Sequence, residues 1–127
     1  MSSKIQSFEQ LPAWQIAQDV AILIYKYTRM FPAEERYGLT SQIRRAATSV
    51  SANIAEGFGR ISKKEKVQFY RIAYGSLLET KSFLYLSVRL NYLSETNLKA
   101  IITQIDSLQT QINAIIKHFT NEAILKP

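Results

Sequence analysis

The segment TSQIRRAATSVSANIAEGFGR, from Thr40 to Arg60, carries the strongest pattern in the 127-residue chain. On a helix of 100° per residue it separates into three faces. The apolar face consists of Leu39, Ile43, Ala46, Ala47, Val50 and Ile54. A ridge of small residues consists of Thr48, Ser51, Ala52, Ala55 and Gly59. The polar face consists of Gln42, Arg45, Ser49, Asn53, Glu56 and Arg60. A surface helix needs only one apolar face, so this helix is predicted to make contacts on more than one side.

Three further amphipathic segments accompany this helix. Helices are predicted over about residues 9–30, 38–59, 63–90 and 95–120. Pro32 ends the first helix because proline disfavours helical geometry at the preceding residue. Glycines end the second helix, and Ser62 with Glu65 forms a capping box for the third. Short connections make neighbouring helices antiparallel, so the sequence predicts a single all-α domain, a left-handed up-down-up-down four-helix bundle.

Each of the other helices has a predicted core face. On the first helix this face is Ala17, Val20, Ala21, Ile24, Tyr27, Thr28 and Phe31. On the third it is Phe69, Ala73, Leu77, Thr80, Leu84 and Val88. On the fourth it is Leu98, Ile101, Ile105, Leu108, Ile112, Ile115, Ile116 and Phe119. Ile16, Leu23 and Met30 widen the apolar arc of the first helix, so that helix is either unusually deep or meets another subunit.

Positive charge is concentrated in the middle of the chain. The net charge is +6, and residues 36–71 hold eight basic and two acidic side chains, which account for the whole excess. Such a cluster suits a polyanion, because neutralising phosphates releases counterions. A solvated surface that maintains solubility is the alternative interpretation. The candidate nucleic-acid-binding residues are Arg44, Arg45, Arg60, Lys63, Lys64, Lys66 and Arg71.

A stripe on the third helix is predicted to face away from the core. It comprises Tyr74, Leu78, Lys81, Tyr85 and Tyr92, flanked by Val67, Arg71 and Arg89. Tyrosines among basic residues stack nucleic-acid bases, but they are equally favoured at protein interfaces. An apolar-aromatic stripe of this length is awkward for a monomer, so we favour an oligomer interface at Tyr74, Leu78, Lys81 and Tyr85.

Catalysis, metal binding and cofactors find no support in the sequence. The only histidine is His118, and Ile115 rather than glutamate stands three residues before it, so the Glu-x-x-His pattern of di-metal bundles is absent. No serine motif marks a partner for a catalytic histidine. Gly57 to Arg60 lack the spacing and the strand of a phosphate-binding loop. We therefore expect no catalytic residues, no cofactor and no small-molecule substrate.

The chain has no cysteine and no apolar run long enough to cross a membrane. Met1 to Leu11 lack the apolar run of a signal peptide, so none is expected. These features agree with a cytoplasmic protein that has no membrane partner.

The run SVSANIAEGFGR at residues 49–60, with RYGLTSQIRRAA before it and GSLLETKSFL after it, resembles the four-helix-bundle family named for open reading frames in 23S rRNA intervening sequences. The motif comprises Ser51, Ala52, Asn53, Ile54, Ala55, Glu56, Gly57, Phe58, Gly59 and Arg60. The family is similar in fold to the accessory variability determinant of diversity-generating retroelements, a basic protein that aids a reverse transcriptase. The resemblance implies a ring-shaped homo-pentamer.

The sequence is consistent with two functions. The favoured hypothesis is a non-enzymatic bundle that self-assembles and binds RNA or a ribonucleoprotein through a basic surface. The alternative is a protein-only oligomeric scaffold that does not bind nucleic acid. Salt-dependent retention of RNA favours the first, and salt-independent capture of a protein partner favours the second.

Overall fold

Four helices account for most of the protein. The computed structural model describes the backbone of residues 5–125 and the side chains of residues 5–120. The helices are α1 (Pro12–Thr28), α2 (Leu39–Gly59), α3 (Lys63–Arg89) and α4 (Glu95–Leu125), with short 3₁₀ helices at Phe8–Gln10 and Ala33–Glu35. No strand occurs within the described range. The predicted all-α, four-helix fold is therefore confirmed.

The helices pack in the order in which they occur. α1 contacts α2, α2 contacts α3, α3 contacts α4, and α4 closes back on α1. The apolar face predicted for α2 is buried along its whole length, from Leu39 to Ile54. On α4, Ile101, Ile105, Leu108 and Ile112 are fully buried. The 3.6-residue period thus identified the buried faces of α2 and α4, while the left-handed twist stays a prediction. On α3 the prediction was wrong at Phe69, which is half-buried, whereas its neighbour Tyr70 is in the core.

Three helix ends differ from the predicted bounds by two residues or more, and the first of them is the start of α1, at Pro12 rather than at residue 9. α1 stops at Thr28, because the N–H groups of Met30 and Phe31 bond three residues back, to Tyr27 and Thr28, in a tightened final turn. α4 continues to Leu125, beyond the predicted end at residue 120.

Both ends of α3 are capped. Ser62 Oγ accepts a hydrogen bond of 3.1 Å from the Glu65 N–H, as expected of the serine in a capping box. At the other end Asn91 adopts φ 64°, in the left-handed region. Its N–H bonds to the carbonyl of Val88, and the N–H of Tyr92 bonds to that of Ser87, both at 2.9 Å. This is a Schellman motif, with asparagine in the position that glycine usually occupies.

A buried glycine lets α2 and α3 pack closely. Gly57 is buried, and a Cβ atom there would lie 2.8 Å from Cε1 of Tyr70 and 3.1 Å from Cβ of Phe69. Tyr70 itself is buried against this backbone, although the sequence did not place it in the core. Gly57 and Gly59 are both helical with negative φ, so neither is needed for a left-handed backbone conformation. Close packing against Tyr70 therefore explains the glycine at position 57.

Only part of the ridge of small residues is used in helix packing within the subunit. Ser51 is buried and accepts a hydrogen bond of 2.9 Å from Gln18 Nε2 on α1. Thr48, Ala52 and Gly59 are exposed, and Ala55 is half-buried. One wall of an open groove between α1 and α2 is therefore formed by the ridge residues Thr48, Ser51, Ala52 and Ala55.

Candidate nucleic-acid interface

The seven basic residues predicted to bind nucleic acid fall into two groups. Arg60, Lys63, Lys64, Lys66 and Arg71 surround the turn between α2 and α3. Arg44 and Arg45 lie in the first half of α2, about 24 Å along the helix axis from Arg60 at 1.5 Å per residue. The structure thus brings five of the predicted residues together and leaves two elsewhere.

An open groove of about 960 Å³ lies beside the α2–α3 turn. Lys63, Lys64 and Arg71 line it, with apolar contributions from Ile72 and Phe119. Lys64 and Arg71 are exposed. Among the described residues, no carboxylate lines the groove. This basic groove is the part of the predicted patch that is open to a polyanion.

Lys66 has a structural role that the sequence did not indicate. Its Nζ donates hydrogen bonds to the carbonyl oxygens of Phe58 at 2.7 Å and Gly57 at 3.4 Å. Burial lowers the pKa of its ammonium group. Because these carbonyls belong to the last turn of α2, Lys66 caps that helix end. It was predicted as a surface cation, and the fold instead half-buries it between helices.

Arg60 is also engaged within the subunit. Its guanidinium lies 2.7 Å from Glu56 Oε2 and 4.6 Å from the centre of the Phe69 ring. Arg60 and Glu56 therefore form an ion pair one turn apart on the helix surface.

The second basic group surrounds a cleft of about 400 Å³ between the end of α1 and the start of α2. Arg36, Arg44 and Arg45 line it together with Tyr25 and Tyr37. Arg44 Nε donates to Thr28 Oγ1 at 2.9 Å, and its guanidinium lies 4.6 Å from the Tyr25 ring centre. The sequence named Arg44 and Arg45 but gave no sign that two tyrosines join them.

Arg45 is partly neutralised by contacts outside the cleft. Its terminal nitrogen lies 2.6 Å from Glu79 Oε2 on α3, and its Nε donates to Gln42.

The tyrosine stripe of α3 is divided by the fold. Tyr74 is half-buried at the boundary of α3 and α4, near Gln109. Lys81 Nζ lies 3.0 Å from Asp106 Oδ1 on α4. Leu78 and Tyr85 alone among the four predicted interface residues are exposed. The prediction that the whole stripe faces away from the bundle is therefore wrong, because one edge of the stripe meets α4.

Two other residues that were predicted on this outer surface, Val67 and Tyr92, make contacts within the subunit instead. Val67 was placed beside the outward stripe and is buried. Tyr92 donates a hydrogen bond of 3.0 Å to Glu35 Oε2 and packs against Phe31. The hydrogen bond to the carboxylate, with burial, raises the pKa of Tyr92.

Two unlike apolar surfaces remain exposed. The outer face of α3 presents Ile72, Leu78, Tyr85 and Leu86, each 43–46% exposed. The α1–α2 groove, about 620 Å³, lies between the small ridge and Ile22, which is 64% exposed. Core packing accounts for two of the three residues that widen the apolar arc of α1, because Ile16 and Leu23 are half-buried against the core. The third, Met30, is 82% exposed and is not explained by packing within the subunit.

His118 is exposed, and its ring packs against that of Phe119. Among the described residues, no group of three potential metal ligands is present. Within the same residues, no helix has the continuous apolar length that crossing a bilayer requires.

The family model for 23S rRNA-intervening sequence proteins matches residues 9–114. The chain belongs to this family. The match includes both basic groups, the motif at residues 51–60 and the outer face of α3. Phe119, which lines the basic groove, lies outside it.

A solved structure is similar to this member of the 23S rRNA-intervening sequence family. It is the crystal structure of a protein of unknown function from the S23 ribosomal protein family of Bacteroides thetaiotaomicron, with a TM-score of 0.75 and 23% sequence identity. The similarity covers 83% of this chain and 95% of the other, and at this identity it shows the fold alone. No curated protein matches the chain.

Proposed function

We propose that this protein is a self-assembling, non-enzymatic helical bundle that binds RNA, free or within a ribonucleoprotein, mainly through phosphate groups. The basic groove at the α2–α3 turn is the observation that carries this proposal. Lys63, Lys64 and Arg71 line one open groove, and no carboxylate of the residues that the structure describes lines it with them. The family description, which refers to 23S rRNA intervening sequences, supports RNA as the polyanion.

The chemistry of the groove favours binding without sequence recognition. Lysine and arginine neutralise phosphates and release condensed counterions, which gives affinity for any RNA backbone. Lys64 and Arg71 make no ion pair with another described residue, so a phosphate would not have to displace an existing partner. Phosphate contacts position a nucleic acid but carry no base information.

The two unlike apolar surfaces support the proposed self-assembly. If the outer face of α3 docks into the α1–α2 groove of a neighbouring copy, each subunit uses one surface of each kind. Such a head-to-tail interface gives a ring when the rotation between neighbouring copies closes, and a filament when it does not. The exposed small ridge, at Ala52 and Thr48, lets a helix approach the groove closely. A ring of five copies is the number that the family resemblance implies.

A ring would strengthen RNA binding without any new contact. Each subunit would contribute one basic groove, and an RNA held by one groove would meet its neighbours at high effective concentration. Weak single contacts would then combine into stable retention.

The competing proposal is a protein-only scaffold, and the intramolecular pairing of the basic residues favours it. Arg45, Arg60 and Lys81 each pair with a carboxylate, and Lys66 caps a helix. These contacts reduce the charge available to a polyanion.

One titration separates the two proposals. A labelled pool of mixed RNA is added to the protein at salt concentrations from about 50 to 300 mM, where phosphate-driven binding falls steeply. RNA binding that weakens linearly on a plot of log affinity against log salt supports the RNA proposal. No binding at the lowest salt, together with salt-independent retention of a protein partner, supports the scaffold.

A further inference from the structure

We propose that the cleft between α1 and α2 binds single-stranded RNA, with a base stacked on Tyr37 and phosphates at Arg36 and Arg44. The inference rests on the proposed RNA binding and adds a second, structure-selective contact to the basic groove. The groove would hold any RNA backbone, whereas the cleft would distinguish unpaired from paired RNA.

Tyr37 is a large aromatic side chain held almost entirely in solvent, at 89% exposure. Its backbone is nevertheless fixed on both sides. The Arg36 N–H bonds to the carbonyl of Ala33 at 3.1 Å, and the Gly38 N–H bonds to that of Glu35 at 3.0 Å. Because the turn is already ordered, a ligand that stacks on this exposed ring does not incur the entropy cost of ordering the backbone.

Glu35 is the residue that orders this turn. Its Oε1 accepts a hydrogen bond of 3.0 Å from the Leu39 N–H, and its Oε2 accepts one from the Tyr92 hydroxyl. A Cβ atom on Gly38 would lie 2.7 Å from Oε1, so the glycine leaves room for this contact. The acidic side chain is thereby used inside the fold and does not line the cleft.

Arg44 is held in place and keeps hydrogen-bonding capacity. Its Nε is bonded to Thr28 Oγ1, and its guanidinium rests over the Tyr25 ring. Its two terminal nitrogens make no hydrogen bond with another described residue. A positioned guanidinium with both terminal nitrogens available can contact a phosphate with two parallel hydrogen bonds.

The cleft combines the two features that unpaired nucleic acid requires. Of the side chains that the structure describes, three arginines and no carboxylate line it, and Tyr37 offers an open aromatic face. Single-stranded RNA is recognised by stacking of its exposed bases on aromatic rings, while basic groups follow the backbone. In a duplex the bases are stacked on one another, so Tyr37 could not reach a base face.

The test compares a labelled single strand of RNA with a duplex of the same length at one salt concentration. We expect Tyr37→Ala to weaken single-strand binding about tenfold, the scale of one base–aromatic stack. Duplex binding should be unchanged, because it depends on the basic groove. Tyr37→Phe keeps the ring and should bind as the wild type does. Arg36→Gln should weaken binding more than Lys99→Gln, a matched loss of one exposed charge on α4.

Three results would overturn the inference while leaving the proposed RNA binding intact. Single-strand affinity could be unaffected by Tyr37→Ala, or the variant could weaken single strand and duplex equally. A phosphoserine peptide could displace the single strand at the same concentration as unlabelled RNA, which would indicate a phosphate site without base stacking. Failure of the wild type to bind either form of RNA would instead refute the proposed function itself.

Discussion

The ammonium nitrogen of Lys66 donates a hydrogen bond of 2.7 Å to the carbonyl oxygen of Phe58 across the turn between α2 and α3. The last carbonyls of a helix have no partner within it, so a cation placed there stabilises the helix end. This contact distinguishes Lys66, which supports the fold, from Lys64 and Arg71, which are exposed and make no ion pair with another described residue.

Lys66→Gln should therefore lower the free energy of unfolding by about 1 kcal/mol, because it removes a charge-assisted hydrogen bond from a half-buried site. Lys64→Gln, two residues earlier and exposed, is the matched control and should change stability by less than about 0.5 kcal/mol. Urea denaturation of the two variants measures the difference. Identical midpoints would show that the Lys66 contact contributes nothing to stability.

A second prediction concerns the α2–α3 crossing. Gly57→Ala should destabilise the fold by about 1–3 kcal/mol, because its Cβ would lie 2.8 Å from the Tyr70 ring. Gly59→Ala places the same methyl group where no neighbouring atom lies within 4 Å. That control should leave stability unchanged or raise it by up to about 1 kcal/mol through helix propensity. Equal thermal shifts for both variants would contradict the packing role of Gly57.

Because Tyr70 is buried, we expect the protein to lose stability in alkaline solution. Burial raises the pKa of Tyr70 from 10.0 to about 12. The folded protein therefore keeps the phenol proton at a pH where the unfolded chain releases it. The stability that this group contributes is complete below pH 10 and declines as pH rises toward 12, by about 1.4 kcal/mol at pH 11.

Urea denaturation between pH 9 and 11 tests this sign. Tyr70→Phe should lack this part of the decline, whereas Tyr37→Phe, at an exposed position, should retain it. A decline of the same size in all three proteins would show that Tyr70 is not its source.

The sequence predicted those features of the fold that depend on periodicity. The buried face of α2 and the isoleucines of α4 were identified because every third or fourth residue is apolar. Pairings across the bundle were not, because they depend on how the helices pack. Glu35 and Tyr92 are 57 residues apart, and nothing local in either segment indicates their hydrogen bond.

The candidate site was predicted only at the level of charge. Clustering along the chain located the basic groove, but it could not show that Lys66 caps a helix. The aromatic character of the cleft was missed because Tyr25 lies on α1, far in sequence from Arg44. Its proximity emerges only when α1 and α2 pack together.

The proposed ring makes a prediction about mass. Light scattering at micromolar concentration should give several times the 14.5 kDa of one chain. Leu78→Glu on α3 and Ile22→Glu in the α1–α2 groove should each reduce the mass toward that of a monomer, because a charge would enter an apolar interface. A monomeric wild type would contradict self-assembly.

Mixing the two charge variants tests the head-to-tail arrangement. Each variant retains one intact surface of the opposite kind, so one copy of each should pair and give about twice 14.5 kDa. An interface in which both copies use the same surface would not be restored by mixing. The mixture would then remain monomeric, which would exclude the proposed pairing of surfaces.

The most direct test of RNA binding through the basic groove is the salt dependence of two charge-matched variants. Lys64→Gln/Arg71→Gln removes two charges at the groove, and Lys26→Gln/Lys99→Gln removes two exposed charges elsewhere. With single-stranded RNA, each phosphate contact contributes about −0.7 to the slope of log affinity against log salt. Because two phosphate contacts are removed, we predict that the slope of the groove variant is less steep than that of the wild type by about 1.4 per bound subunit. The control variant should keep the wild-type slope. Equal slopes for the two variants would contradict RNA binding at this groove.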